Sequence, residues 1–284
     1  MKSKLKIFAY MFIAVLGLVS CSSDDDNPTP ETNELEGLTQ FQTIKNDTHT
    51  IQLYNKKGSL EQGYNDITFQ IIDKSTNAIV KNATVSWMPK MHMKMMTHSC
   101  PRSTVQKTIE DGTTYSGYIV FQMAQNTSEY WDLQINYKIN GVDYIATEVI
   151  NVPASAKQRV TSFTGTDSVK YVVATVEPSQ PKVAVNDFSV VVFKMQDMMT
   201  FPIVDGYKVK IDPRMPSMGN HGSPNNVDLT QTKSGDMYNG KLSLTMSGYW
   251  RINLQLLNAS QEVLKGEAIT NDVLQSTLYL EIEF

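Results

Sequence analysis

The chain reads as an all-β protein made of two tandem immunoglobulin-like β-sandwiches. Three observations predict this class. Short runs rich in β-branched and aromatic residues alternate apolar and polar positions, at 50–54, 67–71, 83–87, 115–121, 131–137 and 144–149. No long stretch after the first twenty residues carries a helical period. The second half then repeats the first. Many short strands at regular spacing mean a sandwich or a barrel.

The repeat is collinear. Asn65-Asp66-Ile67-Thr68-Phe69 returns as Asn186-Asp187-Phe188-Ser189-Val190. Pro89-Lys90-Met91 returns as Pro213-Arg214-Met215, and His98-Ser99-Cys100-Pro101 as His221-Gly222-Ser223-Pro224. Tyr115-x-Gly117-x-Ile119-x-Phe121-x-Met123 returns as Tyr238-x-Gly240-x-Leu242-x-Leu244-x-Met246. Tyr130-Trp131-x-Leu133-x-Ile135 returns as Tyr249-Trp250-x-Ile252-x-Leu254. The offset stays between 119 and 124 residues. Pro153 and small residues interrupt the strands near 152–158, so the sandwiches are expected at 37–152 and 157–284. Asn140-Gly141 is a strong two-residue hairpin signal inside the first. The Tyr, Trp and alternating apolar positions are assigned to the cores, and each repeated Gly to the break of a strand beside a turn.

The N-terminus is different in kind. Lys2, Lys4 and Lys6 precede an apolar run from Ile7 to Val19, which is short for a membrane span. A small residue, Ser20, then precedes Cys21. This is the pattern of a secretory signal over 1–20. Leu18-Val19-Ser20-Cys21 also resembles a bacterial lipobox, which implies lipidation of Cys21 and a membrane anchor. Residues 21–36 are acidic, polar and proline-bearing, so a disordered tether is expected. The expected location is the outer membrane, on its periplasmic or cell-surface face.

Composition narrows the function. With 41% hydrophobic residues the 284-residue chain can build sizeable cores. Its net charge of -4 argues against a nucleic-acid partner. With no nucleophile motif, no recognisable carboxylate pair and no Gly-rich phosphate loop, no enzyme is expected.

Two loops concentrate soft donors. Residues 88–101 hold Met88, Met91, His92, Met93, Met95, Met96, His98 and Cys100. Residues 213–224 hold Met215, Met218 and His221. Met123 and Met246 end the strand after each repeated Tyr-x-Gly and are candidate additional ligands. A thioether has no proton to lose and is weak towards hard cations, while imidazole adds a stronger nitrogen ligand. This set fits copper, above all Cu(I). If 91–95 is extended, Met91, Met93 and Met95 share one face and His92 and Lys94 the other. With Cys21 lipidated, Cys100 is left as a free thiol or an intermolecular bridge. Met195, Met198 and Met199 are assigned to packing, and His49 to the surface.

Each half resembles a YtkA-like domain, a small exported β-sandwich related to the FixH group. The resemblance rests on Asn-Asp before a strand, strand then Pro-x-Met, His before a Pro-bearing turn, Tyr-x-Gly ending in Met, and Tyr-Trp. It implies copper handling or respiratory-oxidase assembly. The second half departs by carrying Ser223 where the first has Cys100. The expected function is copper buffering or transfer at the envelope, with a copper-transport protein as a further partner. The alternative is an interaction module without metal, its Met loops contacting an outer-membrane transporter or surface protein.

Overall fold

The computed structural model describes residues 33–284. The expected signal segment, Cys21 and residues 21–32 of the expected tether lie outside the described residues. Residues 34–36 correct the tether's end, because 34–37 form a turn fastened to the first sandwich. The Glu34 carboxylate accepts hydrogen bonds from the backbone N–H and hydroxyl of Thr113 (2.6 and 2.8 Å) and of Thr114 (3.2 and 2.6 Å). Burial opposes the charge there, yet these donors hold the carboxyl below its usual range.

Residues 34–284 form one compact, all-β unit. The first sandwich contains β1 (Thr39–Lys45), β2 (His49–Asn55), β3 (Gly63–Asp73), β4 (Ala83–His92), β5 (Thr97–His98), β6 (Gln106–Lys107), β7 (Tyr115–Phe121), β8 (Tyr130–Ile139) and β9 (Val142–Ile150). One sheet runs β1-β2-β3-β7-β6 and the other β5-β4-β8-β9. Alternation builds the core between them. Trp87 and Met91 point inward from β4, and Trp131, Leu133, Ile135 and Tyr137 from β8. The β8–β9 hairpin turns at Asn140 and Gly141, with φ of 50° and 84°, as the Asn-Gly signal requires.

The second sandwich contains β10 (Val160–Thr164), β11 (Lys170–Glu177), β12 (Ala184–Lys194), β13 (Lys208–Met215), β14 (His221–Gly222), β15 (Val227–Thr230), β16 (Tyr238–Leu244), β17 (Tyr249–Leu257), β18 (Val263–Lys265) and β19 (Tyr279–Glu283). Strand for strand, the pairings of β1 to β8 recur in β10 to β17. One difference stands out: β15 pairs with both β16 and β13, which joins the two layers into a single hydrogen-bonded sheet.

The repeated glycines serve a different purpose from the strand break expected of them. Both lie within strands, β7 and β16. A Cβ on Gly240 would sit 2.3 Å from the Val227 carbonyl oxygen. On Gly117 it would meet the Trp87 ring and the Ser103 hydroxyl at 2.7 Å. In each sandwich a crossing segment presses onto the strand at this point, and only glycine leaves room.

A third apolar cluster joins the sandwiches. Val120, with half-buried Tyr64 and Tyr118, packs against Val160, Val172, Ala174, Val191, Phe193 and Phe201. A backbone hydrogen bond crosses between the halves, from Ser99 N–H to the Met198 carbonyl (2.8 Å), and Gln62 N–H holds the connecting segment through the Pro153 carbonyl (2.9 Å). His49 is also reassigned. It is buried between the Tyr137 and Tyr144 rings, at 5.4 and 4.8 Å, and burial lowers its pKa against the pull of Asp73.

Candidate metal centre

The first loop is a hairpin. β4 continues to His92, residues 93–96 turn, and β5 returns. The turn is closed by Met93 N–H donating to the Met96 carbonyl at 3.0 Å. Met91 lies directly opposite His98, and His92 opposite Thr97. Residues opposite one another in an antiparallel pair share a face, with Cβ atoms about 4.5–5.5 Å apart. Met91 and His98 therefore sit side by side, facing the core. Met93 packs against the same core, and Met96 stands across the turn from it.

The row continues across the sheet, since Met91 is opposite Trp131 and Trp131 opposite Ile150. The His98 ring meets Trp131 edge-on at 5.6 Å. Trp131 in turn donates its indole N–H to the Met123 carbonyl at 3.1 Å, which brings Met123 to this end of the core. His98 Nδ1 lies 2.7 Å from the Ser99 carbonyl, which can only accept. In the neutral ring Nδ1 thus carries the proton, and Nε2 keeps a lone pair for a ligand.

The second hairpin repeats the pair. Met215 lies opposite His221, with a 3₁₀ turn, Pro216–Met218, between them. Met215 is buried, while His221 and Met218 are exposed. Trp250 donates its indole N–H to the Met246 carbonyl at 2.9 Å, the counterpart of Trp131 and Met123. The Met215 methyl lies only 3.3 Å from where a Cβ on Gly248 would stand.

The expectation for Met95 fails here for a physical reason, whereas His92 faces away from Met91 as expected and Cys100 is the free thiol of its two alternatives. Met95 does not share a face with Met91 and Met93, because the strand ends at His92 and the turn carries Met95 to the tip, 91% exposed. His92 points away from the core. Its Nε2 pairs with Asp132 Oδ2 at 2.6 Å and its ring stacks on Tyr130 at 4.8 Å. Cys100 is wholly buried, so it is no bridge to another chain. Burial pushes its thiol well above the usual range, with Arg102 pulling weakly the other way. The structure thus places Met91, Met93, Met96 and His98 on one hairpin, with Met123 and Cys100 in the same core cluster as Met91, while Met95 stands at the tip and His92 faces outward.

Sequence reading missed the fastening of this hairpin. Ser99 Oγ donates to the Pro89 carbonyl at 2.7 Å. Arg102 donates to the Trp87 and Cys100 carbonyls (3.2 Å each), to Ser99 Oγ (3.0 Å), and to the Met199 carbonyl of the second sandwich (3.4 Å). Among the described residues no three His, Cys, Asp or Glu side chains gather into a metal-sized group.

The fold and site together define a class: paired immunoglobulin-like sandwiches, each with a Met–His hairpin at one end. Residues 166–255, within the second sandwich, match the model of the YtkA-like family. Met215, Met218, His221 and Met246 all fall inside that match. No curated protein matches the chain. Among solved structures it is similar to FdeC, an adhesin of Escherichia coli, at 12% identity and a TM-score of 0.23. The alignment covers 78% of this chain and 64% of that one, so the chain spans less than two thirds of the adhesin's length.

Proposed function

We propose that this protein is an envelope-anchored lipoprotein that binds copper as Cu(I) through its Met–His hairpins and buffers it or hands it on. One observation carries the reading: in both sandwiches a buried Met lies directly opposite a His. The donors fit the cargo. Thioethers favour a soft ion at any pH, and the free Nε2 of His98 adds a nitrogen. Met91, Met93, Met96 and His98 would hold the ion at the first hairpin, and Met215 and His221, with Met218 near by, at the second. Burial of Met91 and Met215 keeps water from half of each site, while the exposed turn leaves a way in. The YtkA-like match over the second sandwich supports the class. The N-terminal Lys-rich start, apolar run and Cys21 support the anchor.

The test is Cu(I) uptake by the whole chain against a chromophoric chelator. One to two Cu(I) per chain are expected, and fewer in a Met91→Leu, His98→Ala double variant. Equal uptake by that variant would overturn the assignment.

A second reading has its own observation. Met95 and Met96 are exposed at the hairpin tip, and flexible thioether side chains suit adaptable protein contacts. The chain would then be an interaction module for a transporter or surface protein, and its partner would stay bound in the presence of a copper chelator.

A further inference from the structure

Where the two sandwiches meet they enclose a cleft of about 600 Å³, within the range of small-molecule sites. Residues of β3 and β7 wall it from the first sandwich, residues of β11 and β19 from the second, with the connection leading into β10 between them. The strand edges there are already taken. β3 lies between β2 and β7, β7 between β3 and β6, and β11 between β10 and β12. The outer edge of β19 is covered by Gln158, whose carbonyl accepts from Glu281 N–H and whose side-chain amide donates to the Tyr279 carbonyl, both at 2.9 Å. An extended peptide therefore finds no open edge on these strands to which it could add.

Two polar groups of the cleft are left unused. Arg159, just before β10, reaches across the junction, and its Cβ lies 3.4 Å from where a Cβ on Gly63 of β3 would stand. A guanidinium is a fork of N–H donors. Among the described residues the Arg159 side chain makes one hydrogen bond, from Nη2 to the Pro178 carbonyl at 3.3 Å. Burial lowers its pKa while Glu61 and Glu177 pull it back up, yet neither carboxylate is spent on it. Glu61 is paired with Lys57, and Glu177 accepts from Ser179 N–H. Thr175 of β11 also lines the cleft; it is 2% exposed and its hydroxyl has no hydrogen-bond partner. Buried polar groups are nearly always satisfied, so both residues have capacity for a ligand.

Beside them is an aromatic surface. Half-buried Tyr64 and Tyr118 line the cleft with ring centroids 5.0 Å apart. Tyr64 donates its hydroxyl to Asp66 at 2.7 Å. The charges nearly cancel, since four cationic and five acidic side chains line the cleft, and Lys157 is paired with Glu283 as Lys57 is with Glu61. Such a field selects neither an anion nor a cation. Flat rings, spare donors, carboxylate acceptors and little net charge suit a neutral ligand with C–H groups on its faces and hydroxyls around its rim.

We propose that the cleft between the sandwiches binds a short neutral saccharide. A sugar ring lies on Tyr64 and Tyr118, and its hydroxyls bond to Arg159 and to the carboxylates of Asp66 and Glu177. The site uses no residue of the Met–His hairpins and does not rest on the copper reading. Both sandwiches contribute to it, so a bound saccharide stabilises their docked arrangement.

The experiment uses the whole chain carrying Cys21→Ser and follows binding by saturation-transfer NMR. The probes are maltose, cellobiose, lactose and diacetylchitobiose, with glucuronate and trialanine as charged and peptide comparisons. Saturable binding of at least one disaccharide is expected. Arg159→Gln is expected to weaken it about tenfold or more, the scale of losing a hydrogen bond to a charged group. Tyr118→Ala removes a ring and is expected to weaken it too, whereas Tyr118→Phe keeps the ring and is expected to bind as the unaltered chain does. The Met91→Leu, His98→Ala double variant is expected to bind saccharide normally, which keeps this test apart from that of copper. If no disaccharide binds, or if Arg159→Gln or Tyr118→Ala binds as well as the unaltered chain, the proposal falls. Tighter binding of glucuronate or trialanine than of any disaccharide would also overturn it.

Discussion

Replacing Met91 by Leu separates what the sulfur does from what the volume does. Met91 is fully buried, opposite both His98 and Trp131. Leu fills nearly the same space, so the folded chain should lose less than about 1.5 kcal/mol. For a domain of this size that is a fall in Tm of about 3–6 °C. Met91→Ala leaves a cavity beside Trp131 and should cost about 2–5 kcal/mol. Copper separates the variants further. At a free Cu(I) concentration one hundred times its Kd, a single site adds about 2.7 kcal/mol to the folded state. The unaltered chain should therefore gain roughly 5–11 °C on loading, by the same conversion. Met91→Leu should lose the part of that gain due to the first hairpin. The assay is thermal unfolding followed by tryptophan fluorescence, with and without Cu(I) held by a competing chelator. An equal copper-induced rise in the unaltered chain and in Met91→Leu would refute the role given to this sulfur.

Other consequences are open to test. In a Cys21→Ser chain, Cys100 should resist an alkylating reagent at mildly alkaline pH until denaturant is added, because burial holds its thiol protonated. Rapid labelling of the native chain would contradict its place in the core. The Glu34 contacts should confer stability that is fully present above the usual carboxylate range. Because the folded carboxyl is held low, that stability should drain away as pH falls through the folded value. Amide exchange at Thr113 and Thr114 should then speed up in acid, and Glu34→Gln should flatten that dependence. Gly240→Ala should cost about 1–3 kcal/mol in denaturant unfolding, because its Cβ would strike the Val227 carbonyl. An unchanged midpoint would show that the crossing segment yields freely.

Local pattern carried the all-β class. The alternation of Trp131, Leu133, Ile135 and Tyr137 placed β8 with its inward face correctly. Asn140-Gly141 marked its hairpin, because both positions need positive φ. The soft donors were legible as a set, although their faces were not. Whether Met95 or Met96 turns toward His98 depends on where a four-residue turn begins, and period two holds only while the strand lasts. Met91 read as a loop residue because its partners, His98 and Trp131, lie on other strands. Glu34 and Thr113 are 79 residues apart and Ser99 and Met198 are 99 apart, so nothing local announces either contact. His49 looked solitary because the tyrosines that enclose it come from β8 and β9.

Copper K-edge absorption of the Cu(I)-loaded chain reaches the centre of the matter. Thioether sulfurs with one imidazole nitrogen should surround the metal, and the sulfur signal should weaken in the Met91→Leu, His98→Ala double variant. A spectrum of nitrogen and oxygen scatterers alone, or the same sulfur signal in the variant, would mean that these hairpins are not where the ion is held.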